Sequence, residues 1–356
     1  MPTKAELDIL RALPLDIKLA KTQKRISEFV SQYGVDGVYI GFSGGKDSTV
    51  LLHIARRLFP DIEAVFVDTG LEYPEIRKFV KHHDNVEIIR PKMRFDQVIR
   101  KYGYPLISKE VSGTIGEVSN PNYKGHSKLQ ALNGQKVLNG KYSPFNQEKW
   151  KPLMNVDFKI SNRCCGVMKK SPSKSFESKN DKHPIMAMMT EESRLRTQKW
   201  LKQGCNAFEC KRPQSNPMSF WTEQDVFHYI YKYNIDIAPV YGDIVVENQY
   251  DRLIRMPLFD TTDIENQVDY DSCRLCTTGC RRTGCIFCGY GVHLEKGETR
   301  FQRLKRTHPK QYDYCIGGGS YDPDDGMWKP DKNGLGMAHV FDGLNKIYGD
   351  NFIRYR

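Results

Sequence analysis

The stretch Ser43-Gly44-Gly45-Lys46-Asp47-Ser48 stands between an apolar run, Val35 to Phe42, and a helical pattern, Thr49 to Leu58. A strand that turns sharply through two glycines into a helix presents bare backbone N–H groups at the positive end of that helix, which suits phosphate. Gly44 and Gly45 tolerate positive φ and a close ligand, Lys46 supplies a mobile positive charge, and Ser43 and Ser48 add hydroxyl donors. Asp47 would stand beside the phosphates and help hold Mg²⁺. The spacing is not that of a Walker A loop. A glycine turn that merely caps a helix is the competing reading.

Working outward, Val38–Phe42, Ala64–Val67 and Val86–Ile89 read as strands, separated by helical patterns at Thr49–Leu58 and Glu75–His82. Strands alternating with helices at this spacing indicate βαβ units, so the expected fold class is α/β, a Rossmann-like parallel sheet with helices on both faces. Ligand is expected at the carboxyl ends of the strands. Leu15–Tyr33 predicts an amphipathic helix, with Leu19, Ile26, Phe29, Val30 and Tyr33 near one face. Ile185–Met189 predicts a further strand leading into a helix over Glu191–Lys202, and Thr222–Tyr233 another helix with Thr222 and Asp225 placed for capping.

From Ser112 to Trp150 the chain is rich in Gly, Asn, Lys and Ser, with hairpin-type Asn133-Gly134 and Asn139-Gly140 pairs. It reads as an insertion: a lid, a pair of small hairpins, or disorder. A last helical pattern lies around Met337–Tyr348, and there is no internal repeat. The expected organisation is an N-terminal helical segment over 1–34, a nucleotide-binding domain over 35–260 with the insertion at 112–150, and a cysteine-rich, basic C-terminal region over 261–356.

Across 356 residues, 54 Lys+Arg against 43 Asp+Glu give a formal charge of +11. This favours anionic partners: nucleotides, nucleic acid or acidic proteins. Met1 to Ala12 is charged at Lys4, Glu6, Asp8 and Arg11 and lacks the apolar core of a signal peptide, and no apolar run is long enough to cross a bilayer. The expectation is a cytoplasmic protein without a membrane partner, in which the clustered ones among ten cysteines bind metal or do redox work rather than form disulfides. Cys273-x-x-Cys276 and Cys285-x-x-Cys288, with Cys280 between them, suit a zinc knuckle. Cys205, Cys210 and Cys315 read as small buried apolar residues. Arg300, Arg303, Lys305, Arg306, His308 and Lys310, interleaved with Phe301 and Tyr312, read either as a solvated helix face or as a hold on a phosphate backbone.

The Ser43–Ser48 loop, followed by Phe66-Val67-Asp68-Thr69-Gly70 at the end of the next strand, resembles the PP-loop ATP-pyrophosphatase superfamily, whose fold is adenine nucleotide alpha-hydrolase-like. Within it the chain resembles the phosphoadenosine phosphosulfate (PAPS) and adenylyl-sulfate (APS) reductase family, over roughly Leu19 to His293 with the 112–150 insertion outside. The resemblance implies that the loop binds the phosphates or sulfate of an adenine nucleotide, whether PAPS, APS or ATP, with Asp68, Thr69 and Gly70 near the adenosine. For Asp68 alone, a turn-capping aspartate is an equal alternative. Glu192-Ser193-Arg194-Leu195-Arg196 resembles the family's Glu-Ser-x-x-Arg element, which implies anion contacts from Ser193 and Arg196. Ala187 and Met189 replace a Gly-x-Arg found in many members, and a plain Glu192–Arg196 helix pair reads equally well. Trp221–Val226 resembles a later Trp-Thr-x-x-Asp-Val helix and is read as structural.

Arg163-Cys164-Cys165-Gly166-Val167-Met168-Lys169-Lys170-Ser171-Pro172 resembles the Cys-Cys-x-x-Arg-Lys-x-x-Pro segment of adenylyl-sulfate reductases, with Met168 in place of the arginine. Together with Gly284-Cys285-Ile286-Phe287-Cys288 it implies a [4Fe-4S] cluster on Cys164, Cys165, Cys285 and Cys288, with Lys169 bridging cluster and nucleotide. Four thiolates hold zinc as well as iron–sulfur, so Zn is the alternative. The reductases' Glu-Cys-Gly-x-His nucleophile segment is absent, and Cys315 is the candidate displaced nucleophile.

The resemblance implies first a sulfonucleotide reductase-family enzyme, with Lys46, Asp47, Lys169 and Cys315 as catalytic candidates and a thiol or electron donor protein as partner. The second reading is an ATP pyrophosphatase that adenylates an acceptor, tRNA or DNA, for thiolation. It gains from the missing reductase cysteine and the basic charge. A nucleotide-binding module without turnover is the third.

Overall fold

The β-branched, apolar runs Val38–Gly41 (β1), Ala64–Val67 (β2), Val86–Ile89 (β3) and His183–Met186 (β4) pair in parallel, and the short strands Asn206–Ala207 (β5) and Gln214–Ser215 (β6) complete a six-stranded sheet. The spatial order is β3-β2-β1-β4-β6-β5, antiparallel only between β5 and β6. The computed structural model describes residues 2–247 and 273–356, so the expected boundary at 260/261 lies outside the described residues. The chain divides into two units, one of Met1–Asp68, Glu72–Ile89 and Ser173–Thr283, the other of Thr69–Leu71, Arg90–Pro172 and Gly284–Arg356. Among the described residues, no helix is long and apolar enough to cross a membrane.

In the first unit, the helices Leu15–Tyr33, Lys46–Leu58, Pro74–Lys81 and Glu223–Lys232 accompany the sheet. The apolar face read for Leu15–Tyr33 is the buried one: Ile26 and Phe29 are fully enclosed, as are Val38, Ile40, Val50, Leu51, Ile54 and Ile185. β3 is the outer strand, which is why its Glu87 and Ile88 stay exposed while β1 and β2 are buried along most of their length. Thr222 and Asp225 form the expected capping box. Asp225 Oδ2 also accepts from Lys18 Nζ at 2.7 Å, and Trp221 Nε1 donates to Thr22 Oγ1 at 2.8 Å, so this element locks onto the first long helix.

The second unit carries the helices Phe95–Tyr102, Lys109–Val118, Arg300–Thr307, Pro309–Ile316 and Met337–Tyr348 around a core that includes Leu106, Phe301, Leu304, Leu335, Val340 and Phe341. Leu106–Ile107 pairs in parallel with Gly289–Tyr290. The 112–150 stretch departs from its expectation. Its first part is the helix Lys109–Val118, with Ser112 fully buried and its Oγ donating to Leu106 O. A Cβ on Gly116 would stand 2.6 Å from Ile160 O, so glycine here signals a close helix packing rather than a loop. Asn133-Gly134 ends the helix Ser127–Leu132, while Asn139-Gly140, with φ of +51° and +73°, turns the hairpin Val137–Leu138/Lys141–Tyr142. Only one of the two Asn-Gly pairs is therefore a hairpin.

The Lys18–Asp225 pair is buried on both sides. Removing the cation strands a carboxylate in the core, so Lys18→Met should lower the unfolding free energy by about 3 kcal/mol in urea titration. Lys18→Met/Asp225→Asn should recover part of the loss, and an unchanged midpoint in the single variant would disprove the pairing.

Candidate active site at the sheet switch point

The strand order reverses between β1 and β4, and the carboxyl ends of such a pair form the natural crevice of an open parallel sheet. The chain leaves β1 through Phe42-Ser43-Gly44-Gly45 into the helix Lys46–Leu58, whose N-cap is Gly45. Gly44 sits at φ +70°, and a Cβ there would fall 2.7 Å from Val80 and 2.8 Å from Ile76 side-chain carbons. Both conformation and space demand glycine. Ser48 Oγ donates to Gly45 O at 2.9 Å and accepts the Ser43 N–H at 3.1 Å, with Ser43 Oγ 3.0 Å away. The two serines thus tie the turn together by their own hydrogen bonds.

Lys46, expected to be mobile, is held. It is 3% exposed, with Nζ 3.2 Å from Glu223 Oε1 and 3.5 Å from Asp47 Oδ1. The ring centroids of Phe227 and Tyr241 lie 5.5 Å and 5.8 Å from it. Its backbone N–H donates to the Tyr241 hydroxyl at 3.1 Å, and that hydroxyl is 2.7 Å from Thr283 Oγ1. Around this core Arg281 pairs with Glu223 at 2.8 Å and Arg282 with Glu192 at 3.7 Å, while Glu192 also pairs with Arg196. Ser193 caps the helix Arg194–Gln203, its Oγ accepting the Arg196 N–H at 3.3 Å. Four cations, Lys46, Arg196, Arg281 and Arg282, therefore surround three carboxylates, Asp47, Glu192 and Glu223.

Burial pushes the Asp47 carboxyl up, Lys46 pulls against it, and the charges of Glu192 and Glu223 add to the rise. Glu223 is lowered: burial opposes its ionisation, but Arg281 and Lys46 outweigh it. Asp47 Oδ1 is buried and accepts no hydrogen bond, leaving an oxygen with the chemistry to ligate a cation. Asp68 accepts from Arg77 Nη2 at 2.9 Å, and its N–H donates to Ile89 O. Thr69 and Gly70 fall in the second unit, where Thr69 Oγ1 accepts the Leu71 N–H and Gly70 adopts φ +74°.

Sequence reasoning missed Tyr241, Glu223, Arg281 and Arg282. Glu223 sat inside an element read as structural, and the Arg281-Arg282 pair was overshadowed by the cysteines around it. Only a search for cations able to reach the loop would have singled them out.

All four expected cluster ligands, Cys164, Cys165, Cys285 and Cys288, belong to the second unit. Cys164 and Cys165 have their sulfurs 4.0 Å apart at the start of the π-helical turn Gly166–Lys170, which carries Lys169. A hydrogen bond from Cys164 draws the Cys165 thiol down to about 5 against burial, with Lys109 and Lys169 assisting. The charges of Cys288 and Cys285 are felt at Cys164. Cys288 N–H donates to Cys285 O, and Arg300 Nη1 donates to Cys288 O. As they stand, no group of three or more His, Cys, Asp or Glu side chains among the described residues is arranged to hold a metal ion. The rival knuckle is divided, with Cys273 and Cys276 in the first unit and Cys285 and Cys288 in the second. Cys276 lies in a strand, Leu275–Thr277, paired with Ile244–Val246.

Cys315 needs correction as a nucleophile. It is fully buried, its thiol packs 3.4 Å from Met337 Sδ, and burial pushes it well above the ordinary thiol range. The arginines of the basic stretch that follows the cysteines are paired locally, Arg300 on Glu295 and both Arg303 and Arg306 on Glu298, while Lys305 lies over the Tyr312 ring.

The family model described as "Phosphoadenosine phosphosulfate reductase domain" matches residues 37–106 and 126–290. The gap is 107–125, so most of the stretch expected to lie outside the resemblance falls within it. Sulfate adenylyltransferase subunit 2 of Aeromonas hydrophila is 27% identical over 257 residues, 67% of this chain and 72% of that protein. The Vibrio cholerae protein of the same name is 27% identical over 257 residues, 69% of this chain and 74% of its own length. An uncharacterized Methanocaldococcus jannaschii protein is 42% identical over 73 residues, 19% of this chain and 15% of that protein. Among solved structures, phosphoadenylyl-sulfate (PAPS) reductase from Candida auris, in a phosphate complex, covers 67% of this chain and 91% of its own at 12% identity and a TM-score of 0.36.

Asp47 supplies a pH test. Its raised value means that the folded state favours the protonated carboxyl, so its contribution is most favourable below the unfolded value and is lost as pH rises through the folded one. Asp47→Asn should therefore melt higher than wild type at about pH 7, with the gain vanishing near pH 4, the ordinary carboxylate range. Equal melting temperatures at about pH 7 would refute the strained carboxylate.

Proposed function

The chain belongs to the phosphoadenosine phosphosulfate reductase domain family, and on that premise we propose that its first unit binds ATP at the switch point and cleaves it between the α- and β-phosphates, transferring the adenylyl group to an acceptor. The observation that carries this reading is the set of four cations gathered at the glycine loop. An acceptor oxygen attacks the α-phosphorus, the bond to the bridging oxygen breaks, and pyrophosphate leaves with the electron pair. Charge develops on that leaving group, and preorganised cations are worth most where charge develops; Lys46 is buried there, while the side chains of Arg196, Arg281 and Arg282 reach it from solvent. The Gly44-Gly45 turn and Lys46 would take the phosphates, with Ser43 and Ser48 turning their hydroxyls to them. Arg196, Arg281 and Arg282 would follow the departing pyrophosphate, and Ser193 would orient Arg196. Asp47 and Glu223 suit Mg²⁺, since Asp47 Oδ1 is buried without a hydrogen bond. The name of the relatives, sulfate adenylyltransferase, adds support for adenylyl transfer. Asp68, at the end of β2 in the same unit, is assigned to the adenosine.

The second unit favours a second reading, reduction of PAPS or APS to sulfite with a thiol or electron donor protein. Cys164, Cys165, Cys285 and Cys288 fit a [4Fe-4S] cluster by donor chemistry, with the Cys165 thiol drawn down by its hydrogen bond from Cys164. Bound there, such a cluster would supply electron transfer or a local field, and Lys169 would balance its charge. Zinc on the same thiolates is the alternative. Burial of Cys315 leaves the reductase without that nucleophile.

Three measurements follow. Purified protein with ATP and Mg²⁺ should release pyrophosphate, and Lys46→Ala should lower the rate by about 100-fold or more, as loss of a transition-state charge contact does. Sulfite from PAPS or APS, with no pyrophosphate from ATP, would reverse the order of the two readings, and nucleotide binding without either product would leave a binding module. After anaerobic purification, iron and sulfide should be lost in Cys285→Ser and retained in Cys276→Ser. The opposite pattern, or zinc in place of iron, would sink the assigned cluster.

A further inference from the structure

Between Asn120 and Lys151 the chain holds six lysines against one carboxylate, Glu148, so the segment is basic chiefly because it lacks acidic residues. The segment is well anchored. Ala131, Leu132, Ser143, Gln147 and Trp150 are buried, Gln147 N–H donates to Ala131 O, and Asn146 bonds both the N–H and the carbonyl of Lys136. On this base the Val137–Leu138/Lys141–Tyr142 hairpin turns apolar surface outward. Val137 is 64% exposed and its cross-strand partner Tyr142 62%, with Leu138 and Phe145 at 50% and 45%. So much large apolar surface on one short ordered segment marks an interaction site.

The lysines decide the partner. Lys128 pairs with Glu117, whereas Lys124, Lys136, Lys141, Lys149 and Lys151 have no carboxylate partner among the described residues. Lys136 lies over the Phe145 ring, 5.9 Å from its centroid. The basic helices near residue 300, by contrast, spend their arginines on Glu295 and Glu298. Unpaired cations beside exposed aromatic faces form the platform on which single-stranded nucleic acid lies, its phosphates on the lysines and its bases stacked on the rings. Unpaired bases of this kind are what RNA loops and ends offer.

We propose that residues 120–151 form a docking surface for single-stranded RNA, with Tyr142 and Phe145 as stacking faces and Lys136, Lys141 and Lys149 as phosphate contacts. The surface goes beyond the nucleotide reading and does not depend on it. The test is fluorescence anisotropy of a labelled unstructured 20-nucleotide RNA with the full-length protein, beside the same sequence as a perfect duplex. Wild type should bind the single strand at least tenfold more tightly than the duplex. Tyr142→Ala/Phe145→Ala should weaken it by about tenfold or more, the range expected for lost base stacking. Lys141→Glu/Lys149→Glu should flatten the slope of log K against log salt by about 1.4. All four side chains are exposed, so circular dichroism should report unchanged folding. Lys46→Ala should bind RNA as wild type does, which keeps failure of this surface distinct from failure of the nucleotide site. Wild-type binding by both double variants, or equal affinity for the duplex, would overturn the proposal.

Discussion

The candidate site depends on keeping a lysine charged where almost no water reaches it. A buried cation is tolerated only when opposite charge and polarizable surface replace its hydration. Lys46 has both: Glu223 and Asp47 on its ammonium, and the faces of Phe227 and Tyr241 beside it. Those partners come from three separate stretches of the chain, so the loop and the Glu223–Lys232 helix must be in place together. The Lys18–Asp225 pair fixes that same helix against Leu15–Tyr33, which links the earliest long helix to the loop. Asp47 bears the cost of the arrangement, since it shares a confined volume with Glu192 and Glu223.

Much of the first unit was legible in the sequence. Leu15–Tyr33, Ala64–Val67 and Val86–Ile89 have the bounds that periodicity and turn residues predict, as does Met337–Tyr348 in the second unit. Alternation of short apolar runs with amphipathic ones is a local signal, and a parallel sheet converts it into topology with few alternatives. Lys109–Val118 was hidden because its glycines serve close packing against Ile160 and Asn162, a nonlocal cause with no local signature. Phe95–Tyr102, an eight-residue helix, was not read from the sequence, although the equally short Pro74–Lys81 was.

The site was legible to the same degree. Residues adjacent in sequence on the loop were found, because the loop makes its own geometry. Tyr241, Arg281 and Arg282 arrive from far along the chain, and nothing in their neighbours announces a phosphate crevice. The cysteines are a different case: the spacing of Cys273, Cys276, Cys285 and Cys288 looks like one local motif, and the first two belong to the first unit and the last two to the second. Cys315 looked reactive only because burial cannot be read from a lone cysteine.

Tyr241 gives the loop a tenant of its own. Its hydroxyl occupies the Lys46 N–H, one of the first donors of the helix Lys46–Leu58, with Thr283 behind it. An incoming oxyanion would therefore trade one acceptor for another rather than fill a vacancy. The gain from such a swap is a difference between two hydrogen bonds, that of an anion over that of a neutral phenol. The loop holds its shape through its own hydrogen bonds, and under the proposed reading a neutral look-alike of the ligand would gain nothing by displacing the phenol. Selection for charge would then be built into the resting state of the loop, ahead of any contact with the rest of the ligand.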